Sequence, residues 1–211
     1  MNSSVCGGLD EAGRGPVIGP MVMALVESTN EKMEQLGARD SKLLTSMSRE
    51  RIYEEIMEKS EKVQYRIISA NTINQMMEKT TINVIEETYA IELIRNSNSN
   101  IVYVDAFDVK EDRLSLKLSK MTEKSIICRH KADSIFPVVS AASIVAKVIR
   151  DREILKIEKK YGSIGSGYPS DERTISFLSR AISEGEDLSK IVRVRWSTYT
   201  RLVNQIKQKR F

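Results

Sequence analysis

The sequence predicts an α/β fold, in which a central mixed sheet is flanked by helices and followed by a C-terminal helical extension. Three observations carry that expectation. Two short apolar stretches, residues 5–10 and 17–26, open the chain and are separated by Gly13-Arg14-Gly15-Pro16, a tight glycine-rich turn. Strand-like and helix-like segments alternate after them. The longest helical candidate, residues 135–160, is apolar nearly all round in its first half, the mark of a buried helix.

Each element follows from local pattern. Residues 48–59 have helical spacing, with Ile52, Ile56 and Met57 on one face, and residues 63–69 return to strand character. Residues 71–95 are again helical, with Thr80-Thr81 marking a break or kink. Asn100-Ile101-Val102-Tyr103-Val104-Asp105 is a buried-strand pattern that ends on a carboxylate, and residues 125–128 form another short strand. The loop over residues 162–169 contains Gly162, Gly165 and Gly167, and helices over 171–183 and 197–209 close the chain. That loop is the one candidate boundary, dividing a domain over residues 1–165 from a helical extension over 166–211. There is no internal repeat and no low-complexity segment.

Composition narrows the class. A chain of 211 residues, 41% hydrophobic and 29% charged, is ordinary for a globular protein and buries a sizeable core without covalent staples. Cys6 and Cys128 follow no metal-ligand spacing and suggest no disulfide framework. Residues 1–10 carry no positive charge and few apolar side chains, unlike a signal segment, so a cytoplasmic protein is expected. The apolar run over 135–149 is interrupted by Ser140, Ser143 and Lys147 and is shorter than the ~20 residues of a membrane span. The net charge of +4 is mild, but Arg193, Arg195, Arg201, Lys207, Lys209 and Arg210 form a basic block without an acid. Such a block is ordinarily a solvated helix face, and it also attracts phosphates.

Four carboxylates stand at the ends of elements. Asp10 and Glu11 end the first strand, Asp105 ends the strand over 101–104, and Asp133 precedes the buried helix. Neighbouring side chains on a strand face opposite ways, so Asp10 and Glu11 share a site only where the strand ends or twists, which the following glycine turn permits. Taken singly, an Asp after a strand is a turn former and one before a helix is an N-cap. Taken together, clustered acids with no histidine nearby suit hard oxygen-liganded cations, and two such ions are the standard arrangement for displacement at phosphorus.

These residues resemble those of a known family. Leu9-Asp10-Glu11-Ala12-Gly13-Arg14-Gly15-Pro16-Val17-Ile18-Gly19-Pro20 looks like the N-terminal signature of ribonuclease HII. Asp40-Ser41-Lys42, Tyr103-Val104-Asp105, Lys131-Ala132-Asp133 with the stretch Pro137 to Lys147, and Ser166-Gly167-Tyr168-Pro169-Ser170-Asp171 resemble its later motifs, in family order and across nearly the whole chain. The Gly-Tyr-Pro-Ser-Asp block is most similar to the archaeal branch; Glu172 and Phe136 depart from it, where proline and tyrosine are common. The resemblance implies an RNase H-like fold and hydrolysis of the RNA strand of RNA–DNA hybrids, and on the 5′ side of ribonucleotides embedded in duplex DNA. It implies that Asp10, Glu11, Asp105 and Asp133 bind two divalent cations, Mg2+ or Mn2+, and that the products carry a 3′-hydroxyl and a 5′-phosphate. It further implies that Gly13, Arg14, Gly15 and Tyr168 read the junction between ribose and deoxyribose. Glycines let backbone amides approach a sugar–phosphate closely, and a tyrosine stacks on a sugar or base.

Other residues are weighed beside these. Lys42 is a candidate phosphate contact or a solvated lysine, and Lys147 a snorkelling lysine or a contact facing the site. His130 is left outside the core site, a lone histidine being more often structural than catalytic, with a role in releasing metal or product as the alternative. Ser140 and Ser143 are read equally as helix-packing residues or as site contacts. Another acid-cluster nuclease, such as an exonuclease, resolvase or integrase, is the competing enzyme reading, and a non-catalytic hybrid-binding module is the competing non-enzyme reading. A monomer is expected. Residues 205–211 faintly suggest a sliding-clamp peptide, but the required apolar residue between its ends is missing, so no such contact is expected.

Overall fold

The computed structural model describes residues 4–38 and 45–208. They form two compact units. The first comprises the chain to Ala12, Val22–Arg66 and Asn83–Ile149; the second comprises Gly13–Met21, Ile67–Ile82 and the chain from Arg150 onward.

The first unit is built on five strands, β1 (Cys6–Ala12), β2 (Met21–Ser28), β3 (Lys62–Ile68), β4 (Ile101–Asp105) and β5 (Ser125–Arg129), in the order β3-β2-β1-β4-β5. β1 and β2 pair antiparallel from Cys6 opposite Ser28 to Ala12 opposite Val22, while β1–β4 and β4–β5 are parallel. The sheet is therefore mixed, as expected. β2 is buried along its whole length, polar residues included. Glu27 accepts hydrogen bonds from the Asn98 amide (2.9 Å) and the Ser99 hydroxyl (2.8 Å), so its carboxylate pins the loop that leads into β4.

Eight α-helices accompany the strands among the described residues: α1 (Asn30–Gln35), α2 (Ser46–Lys59), α3 (Ala70–Met76), α4 (Ile82–Arg95), α5 (Glu111–Thr122), α6 (Pro137–Tyr161), α7 (Glu172–Glu184) and α8 (Ser197–Gln208). The break expected at Thr80-Thr81 separates α3 from α4. No residue pattern announces α1 or α5. α1 buries only Met33, and α5 turns Leu114, Leu118 and Thr122 inward from an otherwise polar segment. Residues 17–20, expected to extend β2, instead pair with distant chain. Val17 and Ile18 donate to the Gly167 carbonyl, and Ile18 bridges Val192. An apolar tetrapeptide satisfies either arrangement, and only tertiary pairing chooses between them.

The first half of α6 is the centre of the first core. Val138, Val139, Ala141, Ala142, Ile144, Val145, Ala146 and Val148 are all buried, together with Val22, Ala24 and Val26 of β2. Its approach to β1 is closest at Gly8, where an added Cβ would lie 2.3 Å from the Val138 backbone. Only glycine admits that contact. Gly8→Ala is expected to cost about 1–3 kcal/mol by overpacking and to lower the urea midpoint; an unchanged midpoint would refute the tight packing. Cys6 and Cys128 are buried free thiols, and burial pushes each up to about 11, so neither is a reactive thiolate.

The second unit has its own core, in which Val17, Ile18, Ile154, Ile164, Phe177, Leu178, Ile191, Val192 and Leu202 are all buried. Asn74 of α3 ties residues 189–194 in place: its amide nitrogen donates to the Val192 carbonyl (2.8 Å) and its oxygen accepts from the Val194 amide (3.0 Å). No helix among the described residues is long and apolar enough to cross a membrane.

Candidate active site

The acids are brought together by sheet register. β1 and β4 run parallel with Leu9 opposite Val104, so the next residues, Asp10 and Asp105, lie at adjacent positions where the two strands approach their C-terminal ends. In open α/β sheets that end of the strands is where functional groups collect. Asp105 pairs in turn with Arg129 on β5. The chain then passes through Lys131, whose φ of 57° is left-handed, into a single 3-10 turn, Ala132–Ser134. There the Ala132 amide donates to Asp105 Oδ1 (2.9 Å), and Asp133 follows directly.

Asp10 is almost fully buried. Its Oδ1 accepts from the Glu11 amide (2.7 Å), and the Ser143 hydroxyl of α6 also hydrogen-bonds its carboxylate. Burial first, and then the Glu11 and Asp105 carboxylates, push the Asp10 carboxyl well above the usual range, and the two hydrogen bonds only partly offset that rise. Asp133 is buried as well, and Glu11 and Asp105 are half-buried. No three Asp, Glu, His or Cys side chains among the described residues stand close enough to enclose an ion by themselves. The structure thus sets Glu11 and Asp105 beside Asp10, while Asp133 follows in the chain the residue whose amide bonds Asp105.

The second group of expected residues lies in the second unit. Gly13 has φ of +84°, a left-handed backbone that suits glycine. A Cβ on Gly15 would meet only Tyr168, at 3.8 Å, so the turn and the tyrosine face each other. Tyr168 is 41% exposed, and the Arg150 guanidinium lies 5.3 Å from its ring centroid. The tyrosine loop is held by Asp171, which caps α7 through the Arg173 amide and accepts from the Ser166 amide at 2.7 Å. Thr174 adds a bond to the Gly167 amide (3.0 Å).

The Ser166 amide, and then Arg173, hold the Asp171 carboxyl well below the usual carboxylate range. A depressed carboxyl contributes stability that is present above its unfolded value, about 3.9, and is lost as pH falls through the lower folded value. Asp171→Asn is therefore expected to melt below wild type at neutral pH, with the gap closing in acid below about pH 4. A gap independent of pH would assign the loss to packing instead.

Some expected residues stand apart. His130 is exposed, its backbone amide donates to Glu111, and its Nε2 lies 3.3 Å from the Val109 carbonyl oxygen. Lys147 is half-buried in α6, and Ser140 is buried there. Lys42, with Asp40 and Ser41, lies outside the described residues. Of the two readings of Ser143, the structure supports the contact, because its hydroxyl hydrogen-bonds Asp10; a serine in an apolar helix carries no sign of which neighbour it faces. Arg150, Arg193 and Trp196 were missed as members of the Gly13–Gly15 environment. Arg193 was read in the basic block, yet it is fully buried.

A five-stranded mixed sheet with helices packed on it, and with Asp10 and Asp105 near the ends of its two central parallel strands, is the α/β fold of the RNase H-like class. The solved ribonuclease H2 from Pyrococcus horikoshii OT3 superposes with a TM-score of 0.90 at 33% identity, covering 97% of this chain and all of that one. The Archaeoglobus fulgidus ribonuclease HII, solved in a complex with PCNA, superposes with a TM-score of 0.88 at 40% identity, over 92% and 96% of the two chains. A curated ribonuclease HII of Thermoplasma volcanium is 47% identical over 206 residues, 98% of this chain and 96% of that relative. The family model for ribonuclease HII matches residues 7–199, and the chain belongs to that family. It is accordingly a ribonuclease H, a hydrolase of nucleic acid.

Proposed function

We propose that this enzyme cleaves the RNA strand of RNA–DNA hybrids, and the 5′ side of ribonucleotides embedded in duplex DNA, using Asp10, Glu11, Asp105 and Asp133 to hold two divalent cations, Mg2+ or Mn2+. The observation that carries this reading is the juxtaposition of Asp10 with Glu11 and Asp105 at the ends of β1 and β4. The donor set fits such ions: every candidate ligand is a carboxylate, the choice of a hard cation, and Asp10 is opposed in its ionisation by burial and by two like charges.

Bound there, the cations supply Lewis acidity at the scissile phosphate. The chain's own groups orient the ligands, with Ser143 and the Glu11 amide fixing Asp10 and the Ala132 amide fixing Asp105. In the hydrolysis a water oxygen bonds to phosphorus, giving up a proton, and the bond to the 3′-oxygen of the upstream sugar breaks; that sugar is a ribose within a hybrid and a deoxyribose before an embedded ribonucleotide. The 3′-oxygen takes a proton, leaving a 3′-hydroxyl and a 5′-phosphate. Gly13, Arg14, Gly15 and Tyr168 read the substrate, because one face of the turn and the exposed tyrosine ring are available to a sugar and its 2′-hydroxyl. Lys42 is proposed to contact a phosphate. The residues to 165 are proposed as the catalytic domain, and 166–211 as the extension that supplies the tyrosine loop. The protein is proposed to act as an intracellular monomer. A sliding-clamp contact through the C-terminus is no part of this reading, and the PCNA complex is a property of the Archaeoglobus relative.

The test uses a labelled DNA duplex with one ribonucleotide in Mg2+, beside Asp105→Asn and a chelator control. The expected result is a nick on the 5′ side of the ribonucleotide, absent from both controls. Cleavage of a long hybrid alone would remove the junction-reading role. Binding without cleavage of either substrate would replace the enzyme by a hybrid-binding module.

A further inference from the structure

We infer that Arg193, assisted by Trp196, is a positioning residue that turns the Gly13-Arg14-Gly15 peptides so that their amides face substrate. The inference rests on the reading of that turn as a nucleic-acid contact. Arg193 is fully buried, and its guanidinium donates to three carbonyls of one short segment: Gly13 at 2.6 Å, Arg14 at 2.8 Å and Gly19 at 3.1 Å. Trp196 adds a fourth tie, since its indole N–H donates to the Gly15 carbonyl at 3.1 Å, while the Arg193 guanidinium stands 4.9 Å from its ring centroid. A buried cation is costly unless it is hydrogen-bonded, and these three acceptors are backbone oxygens of the turn and its continuation.

The consequence is directional. The described peptide bonds are all trans, so each carbonyl and the amide of the same plane point opposite ways. Pulling the Gly13 and Arg14 oxygens onto a buried guanidinium drives the Arg14 and Gly15 N–H groups the other way. The Gly15 carbonyl shares its plane with Pro16, which has no N–H to orient. On the outward side Gly15 is exposed, and Tyr168 is its nearest neighbour there. The turn is also closed from a second direction, because a Cβ on Gly13 would lie 2.4 Å from Arg150 Nε. Two arginines thus restrain the turn, Arg193 through its carbonyls and Arg150 by closing the space beside Gly13, and favour its donors presented as a preorganised pair. Lysine cannot substitute at 193, since a single ammonium does not span acceptors that a planar five-donor fork reaches together.

The test compares Arg193→Lys, Trp196→Phe and Gly15→Val with wild type on a duplex bearing one ribonucleotide and on a long hybrid. Amide exchange of residues 13–19 and melting temperature are measured alongside. For Arg193→Lys the expected result is faster exchange in that segment and a KM on the single-ribonucleotide duplex raised roughly ten-fold, with kcat changed far less. Trp196→Phe keeps the ring and loses the donor, so a smaller shift in the same direction is expected. A purely structural role would lower the active fraction, reducing apparent kcat alike on both substrates with KM unchanged; that outcome overturns the inference. A raised KM for Gly15→Val beside an unchanged KM for folded Arg193→Lys overturns the role of Arg193 alone. Unchanged KM in both variants, despite faster exchange in Arg193→Lys, overturns the substrate-reading role of the turn itself.

Discussion

Replacing Asp10 by asparagine is expected to abolish cleavage and, in metal-free buffer, to raise the melting temperature. The loss follows from removing a proposed ligand to the catalytic ions. Their stabilisation of developing charge is worth several kcal/mol, or roughly a 10³-fold fall in rate at 1.36 kcal/mol per decade. The gain follows from the electrostatics of the free protein. Asp10 is buried beside Glu11 and Asp105, which raise its carboxyl above the ordinary range. A group raised in this way holds its proton in the folded state over a pH interval where the unfolded chain has released it. Its effect therefore opposes folding increasingly as pH rises from about 4 through the folded value. Asparagine removes that opposition and keeps an oxygen for the Ser143 hydroxyl. The expected gain is about 1–2 kcal/mol at neutral pH, or about 2–8 °C for a chain of this size, disappearing near pH 4. Saturating Mg2+ should narrow the gap, because only wild type recovers the binding energy of the ion. An inactive variant that melts lower than wild type at neutral pH without metal would contradict the account of a strained, ion-seeking cluster.

Replacing Tyr168 by alanine is expected to weaken recognition of an embedded ribonucleotide without unfolding the protein. The ring is 41% exposed and packs over Arg150 and opposite Gly15, so little core is lost. Stacking of an aromatic ring on a nucleotide is worth ~1–3 kcal/mol, which raises KM on the single-ribonucleotide duplex roughly 5- to 150-fold. On a long hybrid, where many registers are cleavable, the effect should be smaller. Tyr168→Phe separates ring from hydroxyl: near-wild-type KM would assign the contact to stacking, and a loss approaching that of alanine would assign it to the hydroxyl. Equal losses of kcat on both substrates would move Tyr168 out of substrate reading.

The elements legible in the chain are those with strong local signals. β4 reads as an unbroken apolar run ending on Asp105, the first half of α6 reads as apolar on every side, and Thr80-Thr81 marks the gap between α3 and α4. α5 was not legible, because three inward residues in a polar helix lie below any useful pattern. The end of the first hairpin was misplaced for a different reason. Residues 17–20 are as apolar as β2, but their backbone groups are taken by Gly167, Ile191 and Val192, all far along the chain.

The same division governs the site. The sequence by itself determined the candidate groups: four carboxylates near strand and helix ends with no histidine among them, a glycine turn after the first pair, and a tyrosine between glycine and proline. These are choices of residue type and order, and they are read directly. Tertiary structure alone decided which groups meet. The parallel register of β1 and β4 makes neighbours of Asp10 and Asp105, which are 95 positions apart in the sequence. The glycine at position 8 brings Val138, and with it the helix bearing Ser143, onto the strand that carries Asp10. A basic C-terminal block that suggested solvated cations contains, in Arg193, a buried fork that holds a turn 180 residues upstream. Charge and hydropathy are properties of single residues, whereas satisfying a buried guanidinium requires acceptors that only the folded chain assembles.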